Sequence, residues 1–516
     1  MKVLLDNQRA TELFAADLAE LLKEGDVLAL SGDLGTGKST LSRALLRHLA
    51  ADPHLEVPSP TFTLVQTYDL PRMSVAHLDL YRIEEPEELE ELGLDEYLET
   101  GVALIEWPEM GDPSYWPEAL DLKLTEGTEP DTREITLTAN CESWQNRLDR
   151  LAARRALLQK SGWIDAEREH VQGDASMRTY FRLHKNGETV VFMDSPPTGP
   201  EPRLPTGKTY GETVHRARDV TAFFALSNAL ADHGFRVPKR LAADPENGLA
   251  LLEDFGDQII TENGEAVKER YELAIDDIAR LHSCDWQTGL QADGKPHQLK
   301  PCDFEVLITE ADLYLQWYLP YASGEPATEQ QSRDYVEAWR ELLEPVLQSE
   351  PTLLLRDYHS PNIMWLPEAS GLNKLGLIDY QDAMIGPAAY DVASLVYDAR
   401  VDMPADLQEH LLQRYCDLAR KHKPIFDEMA FRNAVAVLAL QRNAKILGAF
   451  VRLDKQLGKP KYMEMLPRIR NYVRQCFAQL GEVKLKPMFT VILSSNETSQ
   501  SGDCNKRTKR QRQRDA

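Results

Sequence analysis

Residues 32–39, Gly32-Asp33-Leu34-Gly35-Thr36-Gly37-Lys38-Ser39, decide the fold of the N-terminal part of this chain. They fit the pattern G-x-x-x-x-G-K-[ST], and their flanks are the ones that pattern requires. The β-rich apolar run DVLALS precedes them and the helix-like run TLSRALLRHLA follows. Glycines let successive backbone N–H groups turn inward around a phosphate chain, and the next helix points its positive end at the same place. Gly32, Gly35, Thr36, Gly37, Lys38, Ser39 and Thr40 are therefore the expected nucleotide contacts. Lys38 is expected to reach the β- and γ-phosphates, with the Ser39 hydroxyl on Mg²⁺. The first fold expectation is an α/β P-loop NTPase domain binding ATP.

A phosphate loop names a nucleotide and not a task. Three further segments narrow it. Val57-Pro58-Ser59-Pro60-Thr61-Phe62-Thr63-Leu64-Val65 reads as a loop entering a strand, while His77-Leu78-Asp79-Leu80-Tyr81-Arg82 and Leu104-Ile105-Glu106-Trp107 each close a strand. Glu106 at a strand end is placed as a carboxylate holding Mg²⁺ directly or through water. Asp79 is the catalytic candidate, orienting an attacking water or sensing the γ-phosphate, and Thr61 is the switch-like contact to nucleotide. Trp107 reads as packing in preference to base stacking, and the acidic run Glu84–Glu91 as a solvated helix face.

Together with GDLGTGKST these segments resemble the TsaE family, the bacterial ATPases of tRNA threonylcarbamoyladenosine synthesis, over about residues 1–140. The resemblance implies an ATPase that acts inside a complex with TsaD-like and TsaB-like proteins. It implies no transfer of the carbamoyl group by this chain itself.

Residues 120–139 show two alternating runs around a Gly/Pro/Asp-rich turn, the signature of a closing β-hairpin. The pattern then changes to helical in CESWQNRLDRLAARRALLQKSGW, which sets a domain boundary near residue 140. A second phosphate chemistry follows, over residues 145–485. Leu353-Leu354-Leu355-Arg356-Asp357-Tyr358-His359-Ser360-Pro361-Asn362 is an apolar run turning into D-x-x-x-x-N, and Leu377-Ile378-Asp379-Tyr380-Gln381-Asp382 comes later. A base Asp, an Asn five residues on and a metal-binding Asp after a hairpin form the constellation of the kinase fold. Asp357 is the expected catalytic base, and Asn362 and Asp379 the Mg²⁺ ligands. Upstream, Leu249–Asp257 reads as a hinge strand with Glu253 at the nucleotide. Met193 stands where a kinase carries its phosphate-binding Lys; Arg178 is the candidate substitute, with a surface role as the alternative. Asp391 is expected to bond the catalytic loop or cap a helix, and Gln441–Lys445 to lie in an apolar helix with polar residues that line the acceptor cleft or take a solvated or interhelical role.

The segments GDASMRTYFRL, FMDSPP, LLEDFGD, LRDYHSPNIMWL, IDYQDAMIGPAAYDVASL and LQRNAKILGAF resemble the aminoglycoside-phosphotransferase-like kinases. Among these the AmgK family, anomeric kinases of N-acetylmuramate and N-acetylglucosamine in cell-wall recycling, is the nearest in pattern. That implies an α+β bilobal protein-kinase-like domain and an amino-sugar substrate. The His often found two residues before the catalytic Asp is Leu355 here. The resemblances leave rival readings: a nucleotide-dependent protein-binding switch in front, and behind it a kinase for an aminoglycoside, choline or a fructosamine.

The whole chain has 516 residues, enough for about two to four domains with their own cores. Lys and Arg number 58 against 83 Asp and Glu, a formal net charge of −25, which excludes a duplex-binding surface along the molecule; no direct DNA binding is expected. The six cysteines are scattered without a C-x-x-C pair, as in a reduced, cytoplasmic protein. No stretch approaches 18 uninterrupted apolar residues, so no membrane span is expected. Residues 486–516 are polar and then basic, and are expected to be a disordered tail.

Overall fold

The structure is a computed structural model that describes residues 1–83, 93–129, 131–171, 178–423 and 425–494. The acidic run 84–91, the loop 173–177 and the basic end of the tail lie outside the described residues. The chain forms two compact units, one of residues 1–196 and 240–254, the other of residues 197–239 and 255–516.

The first unit holds two sheets. Strands β1 (Lys2–Leu5), β2 (Val27–Ser31), β3 (Val65–Asp69), β4 (Ser74–Asp79), β5 (Gly101–Glu106), β6 (Leu120–Glu126) and β7 (Arg133–Ala139) form a sheet of order β1-β7-β6-β2-β5-β4-β3. Its centre is parallel, β2 pairing with both β5 and β6 and β4 with β5, and its edges are antiparallel. Alternation divides the apolar residues between two faces. Leu28, Leu30, Val102 and Leu104 enter one core with helices α1 (Gln8–Ala19) and α2 (Lys38–Ala50). Their neighbours Val27, Ala29, Ala103 and Ile105 enter the other with Leu94 and Trp116. The hairpin read at 120–139 is the β6–β7 pair.

The second sheet is wholly antiparallel. It comprises β8 (Glu167–Val171), β9 (Thr179–Lys185), β10 (Glu188–Asp194), β11 (Arg240–Asp244) and β12 (Leu249–Glu253), in the order β11-β12-β10-β9-β8. Met193 is fully buried and pairs with Ala250 across β10–β12. Between the two sheets runs α3 (Glu142–Ser161), which has no internal Gly or Pro. Trp144, Leu148 and Leu151, spaced four and three apart, join the core of the first sheet; Leu157 and Leu158 join that of the second. The boundary read near residue 140 thus marks the start of a helix that both cores share.

The other unit is mainly helical around short strands. Helices α4 (Val220–Asp232), α5 (Lys268–Ser283), α6 (Phe304–Ala311) and α7 (Glu329–Leu347) precede the ladder of β13 (Pro351–Leu354) with β16 (Met384–Pro387). Within that ladder's connection sits the hairpin β14 (Ile363–Trp365) and β15 (Leu375–Leu377). Helices α8 (Ala389–Val396), α9 (Ala405–His422), α10 (Glu428–Leu457) and α11 (Leu466–Leu480) complete it. Among the described residues α10 alone has the length and apolarity to cross a bilayer, and most of its apolar window is buried in this unit. The ordered chain also runs past the expected start of the tail: residues 486–493 form two helical turns because Phe489 and Ile492 are buried, Phe489 stacking on Tyr314. The described cysteines are all unpaired.

At Gly448 the α10 backbone comes so close to Leu313 that a Cβ would stand 2.0 Å from its carbonyl oxygen. Gly448→Ala is expected to destabilise this unit by about 1–3 kcal/mol or more, since backbone must give way. A lowered urea midpoint with an unchanged m-value would register it.

Candidate functional site

The phosphate loop joins β2 to α2, and its geometry explains its glycines. Gly32 has φ +138°, and a Cβ there would lie 2.4 Å from the Leu124 carbonyl oxygen; Gly35 and Gly37 also have positive φ. Thr36 is buried and its hydroxyl donates to the Asp33 carbonyl at 2.9 Å, closing the turn. Lys38 folds back over the loop, donating to the Gly32 and Asp33 carbonyls at 2.6 and 3.1 Å. Its ammonium also sits 3.5 Å from the centre of the Trp107 ring. Burial pushes the Lys38 pKa down, against the pull of Glu106, Glu109, Asp79 and Asp33. Thr40 lies half-buried on the first turn of α2.

Glu106 ends β5 and Asp79 ends β4, side by side in parallel register. Glu106 is 1% exposed and its carboxylate is met by three donors. Ser39 Oγ reaches Oε2 at 2.8 Å, while Ser42 Oγ and His77 Nε2 reach Oε1 at 3.0 and 2.9 Å. A carboxylate only accepts, so Nε2 of His77 carries the proton of this bond. Burial works against the charge, but the bonds from His77 and the two serines hold the carboxyl below its usual range. Asp79 accepts from Ser59 and Thr61 at 3.2 and 2.7 Å and from the Tyr81 backbone at 3.1 Å. Thr61 is therefore tied to the end of β4. Trp107, the next residue after Glu106, adopts φ +61° and packs on Tyr81.

In the other unit the loop between β13 and β14 carries Asp357 and Asn362, and Asp379 follows β15. The hairpin turns these into neighbours: Asn362 Nδ2 donates to the Asp357 carbonyl at 3.0 Å and stands 3.5 Å from Asp379 Oδ2. Gln381 Nε2 donates to Asp379 Oδ1 at 2.8 Å. Asp391, wholly buried at the start of α8, accepts from the Leu355 and Arg356 backbone N–H groups at 2.7 and 2.8 Å. This carboxylate fixes the entry to the loop, where Arg356 has φ +71°. The Arg356 guanidinium runs inward to the fully buried Glu310, to which Lys445 also donates at 2.8 Å.

From α10, Arg442 donates to the Arg356 carbonyl at 2.5 Å and approaches Asp357 Oδ1 at 3.5 Å. His359 Nε2 lies 3.9 Å from the same oxygen and receives a bond from Arg400 at 3.3 Å. Burial, with Arg400 adding to it, pushes the His359 pKa down to about 3, so the imidazole is neutral. Burial raises the Asp357 carboxyl, but Lys445, Arg442 and Arg356 together hold it well below the usual carboxylate range. Asp357 is thus an ionised carboxylate, about a third exposed, with the Asn362–Asp379 pair beside it.

The profile of the threonylcarbamoyl adenosine biosynthesis protein TsaE matches residues 5–135, and that of the phosphotransferase enzyme family, APH, matches residues 167–431. An N-acetylmuramate/N-acetylglucosamine kinase of Caulobacter vibrioides is 33% identical over 360 residues, 66% of this chain and 96% of that protein. A protein of the same description from Pseudomonas aeruginosa is 30% identical over 63% of this chain and 89% of its own length. The tRNA threonylcarbamoyladenosine biosynthesis protein TsaE of Rickettsia felis is 38% identical over 122 residues, 24% of this chain and 71% of that protein. The chain belongs to both families. It is a fusion of a TsaE module with an APH kinase module.

In the TsaE module the residues read from sequence converge at the ends of β2, β4 and β5. The structure adds Ser42 and His77, the second and third donors to Glu106, and Ser59, which joins Thr61 on Asp79. A serine one helical turn after Ser39 was the available signal for Ser42. In the APH module Asp357, Asn362 and Asp379 converge likewise. Arg178, half-buried just before β9, and Glu253, at the end of β12, belong to the other compact unit. Residues missed in sequence are Arg442 and Lys445 as the cations around Asp357, and Glu310 as their buried counter-ion.

Removing a cation beside Asp357 raises the pKa of its carboxyl. An Asp357 that acts as base must be ionised, so Arg442→Gln is expected to move the acid limb of the kcat/KM profile for acceptor-dependent ADP release to higher pH. Its loss of activity is then greater at pH 5 than at pH 8, which a pH series beside Arg442→Lys would read.

Proposed function

We propose that the APH module transfers the γ-phosphoryl group of ATP to the C1 hydroxyl of N-acetylmuramate or N-acetylglucosamine. We further propose that the TsaE module is an ATPase serving threonylcarbamoyladenosine modification of tRNA through TsaD-like and TsaB-like partners in the cytoplasm. The observation that carries the first reading is the ionised Asp357 beside Asn362 and Asp379, in a chain spanning 96% of an N-acetylmuramate/N-acetylglucosamine kinase. The second rests on Glu106, Asp79 and the phosphate loop gathered at adjoining strand ends.

In the kinase reaction the sugar hydroxyl oxygen attacks the γ-phosphorus as the bond to the β,γ-bridging oxygen breaks. ADP leaves with the bonding electrons, and the hydroxyl proton passes to the Asp357 carboxylate. Catalysis of this kind is mostly orientation and charge stabilisation, so the loop must be held still. Asp391 and Arg442 do that by fixing the backbone N–H and carbonyl of Arg356, the residue before Asp357. In the TsaE module Asp79 orients the attacking water, with Thr61 holding its carboxylate.

The donor sets suit Mg²⁺. Each pairs a carboxylate with a neutral oxygen, Glu106 with the Ser39 hydroxyl and Asp379 with the Asn362 amide, the hard-oxygen set that leaves room for phosphates and water. Bound there, Mg²⁺ would neutralise charge on the transferring phosphates. In the TsaE site Ser42 and His77 retain Oε1 of Glu106, so Ser39 can turn to a metal without leaving the carboxylate unpaired.

Phosphorus NMR of the protein with Mg-ATP and N-acetylmuramate tests the reading. Wild type and Lys38→Ala are expected to form an anomeric sugar phosphate, and Asp357→Asn to form it about 10² to 10⁴ times more slowly. ADP accumulation without sugar phosphate, dependent on Lys38, would move the APH module to another acceptor.

A further inference from the structure

The first compact unit contains the TsaE module together with the five-stranded sheet of the APH module, and the seam between them is charged and buried. Asp17, on α1 of the TsaE module, receives Arg155 of α3 at 2.6 Å and Arg168 of β8 at 2.7 Å. Glu20, just past the end of α1, is 3% exposed at its side chain and receives His170 of β8 at 3.1 Å. It also receives Arg72 and, at 3.1 Å, His48 near the end of α2. Arg168 is itself almost fully buried and donates to the Ile164 carbonyl at 3.1 Å. Arg147 of α3 binds Asp26 and the Leu21 carbonyl.

These contacts differ from a surface tether in two respects. Breaking a buried ion pair leaves a charge uncompensated, which costs far more than losing an exposed pair. The carboxylates come from the TsaE module, whereas Arg155, Arg168 and His170 come from the APH module, so each needs the other. The helix α3 adds an apolar bond of the same kind, with Trp144, Leu148 and Leu151 in one core and Leu157 and Leu158 in the next. Around that change-over Arg150 and Arg154 both grip Asp194, which is fully buried at the end of β10.

We propose that the TsaE module and the β8–β12 sheet form one cooperative unit through Asp17, Glu20 and α3, and that nucleotide at the phosphate loop stabilises the kinase sheet. Helix α2 begins at that loop, and His48 near its far end touches the Glu20 that β8 also touches. A ligand that binds only the folded unit lowers the opening of every amide whose exposure requires the whole unit to open.

Hydrogen exchange of the full chain with and without a non-hydrolysable ATP analogue and Mg²⁺ tests it, in wild type and Lys38→Ala. In wild type the slowest amides of residues 27–50 and 167–194 are expected to slow by a common factor, about 100-fold with ligand at 100 times its Kd. In Lys38→Ala the shared slowing falls below about twofold on both stretches, leaving only what the kinase site contributes. An Asp17→Asn/Glu20→Gln variant is expected to keep the slowing at 27–50 and lose it at 167–194. The milder His170→Gln, at a partly exposed position, reduces it in the same sense should the double variant not fold. Slowing confined to residues 27–50 in wild type, or persisting at 167–194 in both seam variants, overturns the proposal.

Discussion

Glu106, Asp391 and Glu310 are almost wholly withdrawn from water, and a carboxyl group is tolerated there only where donors converge on it. Much of the organisation around both sites follows from that constraint. Glu106 draws Ser39, Ser42 and His77 together and so locks the start of α2 to the end of β5. Asp391 takes two backbone N–H groups and so fixes the loop that carries Asp357. Glu310 takes Arg356 and Lys445 and so anchors that loop from behind. A buried pair of this sort is weak evidence for net stability, because desolvation consumes much of the attraction. Its value here is geometric, since each carboxylate admits few arrangements of its donors.

Of the nine described non-glycine residues with positive φ, three lie at the two sites. Trp107, Arg356 and Asp379 are non-glycine residues with positive φ, and each adjoins or is a candidate site residue. Such conformations cost on the order of 1–3 kcal/mol and persist only where the surroundings over-determine them. At Arg356 the over-determination is visible: Asp391 holds its N–H, Arg442 its carbonyl, and Glu310 and the Val214 carbonyl its guanidinium. The turn aims the Asp357 side chain toward Arg442 and His359 while the arginine side chain points away into the core.

The parts legible in the sequence were those that local chemistry dictates. A phosphate loop needs its glycines and lysine at fixed spacing, and a strand end announces itself by an apolar run that stops at a carboxylate. Asp357, Asn362 and Asp379 were legible for the same reason, being close in sequence across one hairpin. Arg442 and Lys445 were not, because they reach Asp357 from 85 and more residues away, and a polar residue on an apolar helix does not name its partner. His77 was quoted within its motif but its bond to Glu106 depends on strand register, which composition does not carry.

The domain boundary shows a different limit. Periodicity correctly marked a helix after residue 140, but a 3.6-residue repeat states only that one face is apolar. It does not say that the face changes allegiance part-way along. In α3 the first three buried residues complete the TsaE core and the last two the kinase sheet, with Arg150 and Arg154 bound to Asp194 around the change-over. A flexible linker would let two fused modules keep separate cores, whereas an unbroken helix of 20 residues transmits orientation as well as connection. Joining the modules through such a helix makes the packing of each a condition on the other, which is why the buried charges of α1 find their partners on β8.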